Sequence, residues 1–122
     1  MSGFLLDTNS VIYFFNGEKN ISDLIEGTED RIYLSFITKI ELLCFETTDE
    51  DVMKKIHEFL REVEILYIDD EIITNTIDCR KKMKLKLPDA IIAATAKTKD
   101  MPLVTADKSF KKVKGIKIIS PI

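Results

Sequence analysis

The chain has 122 residues, 45% hydrophobic and 32% charged, with a formal net charge of −3. That size and balance suit one folded domain and exclude a disordered or low-complexity chain. No apolar run approaches the roughly 18 residues a membrane-spanning helix needs, and Met1-Ser2-Gly3 has neither the basic nor the long apolar region of a secretory leader, so a cytoplasmic location is expected.

A first β-prone run, Phe4-Leu5-Leu6, leads into a helical stretch over 9–16 whose segment Val11-Ile12-Tyr13-Phe14-Phe15 is apolar on every face, which calls for deep burial or an interface. A second helix over 20–27 precedes the run Ile32-Tyr33-Leu34. The next helix, over 38–46, opens on Thr38 with Glu41 three places on, a capping-box pattern. Asp49 can cap a helix over 49–63, whose apolar stripe Val52, Ile56, Phe59, Leu60 and Val63 leaves the lone histidine, His57, on the surface. That single imidazole excludes chemistry built on a histidine pair or cluster.

After the run Ile65-Leu66-Tyr67-Ile68, Asp69 or Asp70 can cap a helix over 70–83, and Pro88 suits the first position of a helix over 88–99. Two more β-prone runs follow, Leu103-Val104-Thr105 and Ile116-Lys117-Ile118-Ile119, the last ended by Pro121. Cys44 and Cys79 each fall within a predicted helix, lack the short spacing of a zinc site, and read as reduced core or near-core residues. Regular alternation of strands and helices, without repeat or linker, predicts a single α/β domain over 1–122. Its expected form is three-layered, with a mainly parallel, about five-stranded central sheet between helices.

Acidic residues number 21, so topology must decide which of them act together. Asp7 directly follows the first strand, Glu41 lies in the first turn of the helix after the second, and Asp107 stands two residues past Thr105. Asp89 opens the helix that feeds the fourth strand; a crossover helix runs opposite to that strand, so its start lies at the strand's carboxyl end. All four acids converge on the edge where open α/β sheets bind ligands. Glu41 and Asp89 sit in apolar local sequence, and no Arg or Lys stands within four residues of Asp7, so a bound cation would supply the missing partner. Oxygen-only ligands favour Mg²⁺ or Mn²⁺ over zinc.

The segments Phe4-Leu5-Leu6-Asp7-Thr8-Asn9, Ile37-Thr38-Lys39-Ile40-Glu41-Leu42, Leu87-Pro88-Asp89-Ala90-Ile91-Ile92-Ala93-Ala94 and Leu103-Val104-Thr105-Ala106-Asp107-Lys108-Ser109-Phe110 occur in this order along essentially the whole chain. In this the sequence resembles the PIN-domain nucleases, and among them the VapC-type toxins of toxin–antitoxin pairs. The resemblance implies a metal-dependent endoribonuclease with Asp7, Glu41, Asp89 and Asp107 as the catalytic, metal-binding acids and Asn9 and Thr105 as polar supports. It also implies a homodimer and an antitoxin partner whose segment lies in an apolar groove near the active site. Lys99-Asp100-Met101 departs from the glycine-containing turn common before the fourth strand.

Local roles stand beside this reading. Glu41 could complete the capping box, Asp89 could complement a helix dipole, and Asp107 could cap a short helix over 108–110. The expected reaction is in-line phosphodiester hydrolysis with one or two ions, Asp7, Glu41 and Asp89 holding the principal one and Asp107 a second ion or a water. A catalytically silent binding module of the same fold is one rival. A phospho-aspartyl phosphatase or receiver is another, but Asn9 stands where the phosphatase would want a second aspartate. Net charge weighs only slightly against RNA, since setting aside the four acids turns −3 into +1. Lysines at 81, 82, 84 and 86, and at 108, 111, 112, 114 and 117, flank the proposed site and would either meet phosphates or form a solvated face.

Overall fold

The computed structural model describes residues 3–122; Met1 and Ser2, on which the expectation of no secretory leader partly rests, lie outside them. Its strands are β1 (Gly3–Leu6), β2 (Arg31–Ser35), β3 (Glu64–Leu66), β4 (Leu103–Val104) and β5 (Ile118–Ile119). They form one sheet in the order β3-β2-β1-β4-β5, and every pairing in it is parallel. Parallel neighbours need long crossovers, which the helices supply. These are α1 (Thr8–Phe15), α2 (Lys19–Glu26), α3 (Phe36–Leu43), α4 (Glu50–Glu62), α5 (Asp70–Met83) and α6 (Leu87–Lys99).

Strand periodicity sorts the core into two layers. Leu5, Tyr33 and Leu103 point to one side and pack with Cys79 of α5 and Ala90, Ile92, Ala93 and Ala96 of α6. Their neighbours Leu6, Leu34 and Val104 point to the other, against Val11 of α1, Ile21 of α2 and Ile56 and Phe59 of α4. Such continuous apolar runs belong to strands covered on both faces, and the expected three-layer α/β architecture results. Gly3 permits the close pairing of β1 with β2, since a Cβ there would stand 2.3 Å from the Tyr33 ring.

The departures from expectation are local. α3 begins at Phe36 with Ser35 as its N-cap, so Thr38 lies inside the helix, and the capping-box reading of Thr38 with Glu41 is overturned. The chain passes from β2 into α3 without a loop. Cys44, expected at or near the core, is exposed at the end of α3, whereas Cys79 is buried; both are free thiols. The stripe on α4 faces inward and His57 is exposed as expected. In place of the glycine-containing turn before β4, Asp100 itself takes a left-handed backbone (φ 51°), one of the few non-glycine residue types that does so at small penalty. Among the described residues, no helix is long and apolar enough to cross a membrane.

Candidate active site

The chain lays down β1, β2 and β3 in one direction and then returns to add β4 and β5 on the other side of β1. The two directions part between β1 and β4, and the crevice beyond their carboxyl ends is where ligands bind in such sheets. Asp7 occupies it. The residue is only 5% exposed, and a buried charge of this kind must be hydrogen-bonded. Oδ1 accepts the Ser10 backbone N–H at 2.8 Å, capping α1, and Oδ2 accepts the Thr105 hydroxyl at 2.5 Å. The Ser10 hydroxyl donates in turn to the Val104 carbonyl at 2.8 Å, tying α1 across the crevice to β4.

Thr105 links two of the acids. While its hydroxyl donates to Asp7, its oxygen accepts the Asp107 backbone N–H at 3.0 Å. Asp107 Oδ1 accepts both the N–H and the hydroxyl of Ser109, at 2.9 and 2.8 Å, and caps a short 3-10 helix, Lys108–Lys112. Helix capping by Asp107 is therefore real, as it is for Asp7, and in both it fixes one oxygen of the carboxylate. Across the crevice, Glu41 projects from α3 and its Oε1 accepts the Thr8 hydroxyl at 2.7 Å, which also lies 3.2 Å from the buried Thr38 hydroxyl.

Asp89 lies in the first turn of α6. Burial pushes its carboxyl above the usual value of 3.8, and repulsion from Asp107, Asp7 and Glu41 adds to that, opposed by Lys86. Ion pairs among the described residues join Arg31 to Glu64, Lys82 to Asp78 and Lys99 to Asp69, and none includes these four acids. As placed, no three acidic, histidine or cysteine side chains among the described residues close on a single point in the manner of an assembled metal site. The donor set nonetheless fits a hard divalent cation in ligand type and charge: oxygen only, of like charge and with no cation among the described residues paired to it.

The two flanks of the crevice differ in chemistry. On the Glu41 side lies an apolar groove that includes Ile12, Phe15, Leu42, Phe45, Val52 and Ile56. On the Asp89 and Asp107 side lies a cleft of about 300 Å³ lined by Lys84, Lys86, Lys112 and Ser109. Lys82, from the same basic run, sits on α5 within 3.9 Å of Asp78 instead.

Asn9, expected to support the acids, is exposed and has no hydrogen bond to them; the Thr8 hydroxyl holds Glu41, and the Ser10 backbone N–H holds Asp7. Thr8 was missed because an Asp-Thr-Asn run gives no local sign of which polar side chain turns inward. That depends on where α1 starts, and α1 starts at Thr8, capped by Asp7.

The PIN domain family matches residues 4–116 of the chain. Among solved structures, the fold resembles a toxin–antitoxin complex from Klebsiella pneumoniae, at 29% identity over 97% of both chains with a TM-score of 0.81. DNA-bound VapBC from Salmonella typhimurium aligns over 100% of both chains at 23% identity and a TM-score of 0.88. VapBC-1 from nontypeable Haemophilus influenzae aligns over 98% of both at 24% identity and 0.82. No curated protein sequence matches the chain.

Proposed function

The chain belongs to the PIN domain family, and from that membership we propose that it is a metal-dependent endoribonuclease, the toxin of a VapC-type toxin–antitoxin pair, built as one nuclease domain and acting in the cytoplasm. The observation that carries the reading is the placement of Asp89 beside Asp107, Asp7 and Glu41, with no cation among the described residues paired to any of the four. Acids held together against their own repulsion point to a cation as their partner.

Asp7, Glu41 and Asp89 would hold the principal Mg²⁺ or Mn²⁺, and Asp107 a second ion or a water. A divalent ion bound there lowers the pKa of a water and offsets charge on the phosphate. The chain's own groups orient the donors. Thr105 fixes Asp7 and, through its oxygen, the backbone of Asp107; Thr8 fixes Glu41; Ser109 fixes one oxygen of Asp107. Hydrogen-bonded supports of this kind set the direction of ligand lone pairs. With no histidine in the crevice, the proton leaving the attacking water passes to solvent or to a carboxylate, and no covalent enzyme intermediate is needed.

Partners follow from the same reading. The apolar groove beside Glu41 suits the antitoxin segment, a partner that the Klebsiella relative's complex supports. Exposed Tyr67, Ile68, Ile73 and Ile77, after β3 and along α5, suit a second copy of the chain. The test is cleavage of RNA with Mg²⁺ or Mn²⁺ by the wild type and by Asp7→Asn and Asp89→Asn, with circular dichroism to verify folding. Cleavage should fall by at least about 100-fold in each folded variant, as for loss of a group central to the reaction. Near-normal activity in either variant removes that residue from the site, and a wild type that cleaves no RNA favours the silent binding module.

A further inference from the structure

Phosphates of a bound strand must lie beside a centre that is itself strongly acidic, so the chain has to supply positive charge close by without neutralising the acids. The cleft beside Asp89 and Asp107 does this. Three lysines from two separate elements converge on it: Lys84 and Lys86 from the connection between α5 and α6, and Lys112 from the 3-10 helix that Asp107 caps. None of the three is within ion-pairing distance of an acid among the described residues, whereas Lys82 and Lys99 are. Ser109 adds a hydroxyl to the lining.

The connection carrying Lys84 and Lys86 is fixed in place. Arg80 Nη1 donates to the Leu85 carbonyl at 3.2 Å, and Leu85 is buried in the core between the two exposed lysines. Lys84 takes a left-handed backbone, φ 53°, at the end of α5, the position where glycine is the usual residue. A lysine there gives up the local backbone stability that glycine would have. The opposite flank, beside Glu41, is apolar and has no lysine or arginine in its lining.

From this asymmetry we infer that Lys84, Lys86 and Lys112 form a phosphate-binding subsite on the Asp89–Asp107 side, so that a single RNA strand is held by its backbone on one side only of the bond to be cut. The inference rests on the ribonuclease reading and adds to it the residues and the side that hold the substrate. Lysine ammonium groups bind phosphates as point charges without reading bases, so the subsite contributes affinity and register rather than sequence choice.

The test is binding of a fluorescent single-stranded oligoribonucleotide to the full chain in Ca²⁺, by anisotropy over a series of NaCl concentrations. For single strands the slope of log K against log salt changes by about 0.7 for each phosphate that is no longer neutralised. Lys84→Gly should flatten the slope by about that amount while its unfolding midpoint stays equal to or above wild type, because glycine suits the left-handed position. The triple variant Lys84→Ala, Lys86→Ala, Lys112→Ala should flatten it by about 1.4 or more, and Lys82→Ala should leave it unchanged. Neutral methylphosphonate linkages should weaken binding when placed in one half of the oligonucleotide and not in the other. Wild-type binding with a slope unaltered in the triple variant, or flattened equally by Lys82→Ala, overturns the subsite and leaves the ribonuclease reading standing. A wild type that binds no RNA overturns both.

Discussion

Asp89 differs from the other three acids in taking no hydrogen bond from a described residue, and its carboxyl is raised by burial and by three like charges. Its protonation is therefore linked to stability. Below 3.8 the carboxyl is protonated in both folded and unfolded chains, and its contribution is complete. As pH rises through the higher folded value, the native state gives up the proton against burial and repulsion, and stability is lost. In chelator, wild type should lose stability on going from acid to neutral pH relative to Asp89→Asn, as urea unfolding at a series of pH values would show; parallel curves would contradict it. Thr105 makes a second test. Thr105→Val keeps the shape but removes the hydroxyl that joins Asp7 to the backbone of Asp107. Leaving a buried carboxylate short of a partner costs about 1–3 kcal/mol, measurable by denaturant unfolding, and divalent-ion affinity should fall with it. The positions of the four acids at strand ends and helix starts were legible in the sequence because strand ends are legible; the bond from Thr8 to Glu41 was not, since its direction depends on the first residue of α1.

At the scale of elements, apolar runs and helix starts placed all five strands and six helices within a few residues, and the errors have physical causes. Thr38-Lys39-Ile40-Glu41 matches a capping box, yet Ser35, directly ending β2, caps α3 first by accepting the Ile37 N–H at 3.2 Å. Two capping signals three residues apart compete, and the one that lets the buried strand pass straight into the helix prevails. Ser35 is fully buried, so Ser35→Ala should destabilise the protein by about 1 kcal/mol, the usual value of an N-cap, while Lys39→Ala, further along α3, should change stability little. Thermal unfolding of the two variants separates the outcomes. Cys44 was read as a core or near-core residue because it fell within a predicted helix over 38–46; α3 ends at Leu43, and the side chain falls beyond the packed face.

For the whole molecule, parallel order and two-sided packing could be expected from alternating elements, but the point where the strand order reverses could not, because periodicity carries no information on which strand pairs with which. That reversal, between β1 and β4, brings Asp7 and Thr105 together from opposite ends of the chain, at the crevice proposed to hold the four acids. On the proposed metal-site reading, a crevice so charged opposes folding until a cation enters it. Calorimetric scans of wild type and Asp89→Asn, each with chelator and with Mn²⁺, test this most directly. Mn²⁺ should raise the wild-type midpoint, by about 2.7 kcal/mol of stability at a hundredfold excess over the dissociation constant. Asp89→Asn should be at least as stable as wild type in chelator and gain less from the ion. An identical response to Mn²⁺ in the two proteins would contradict a shared cation site.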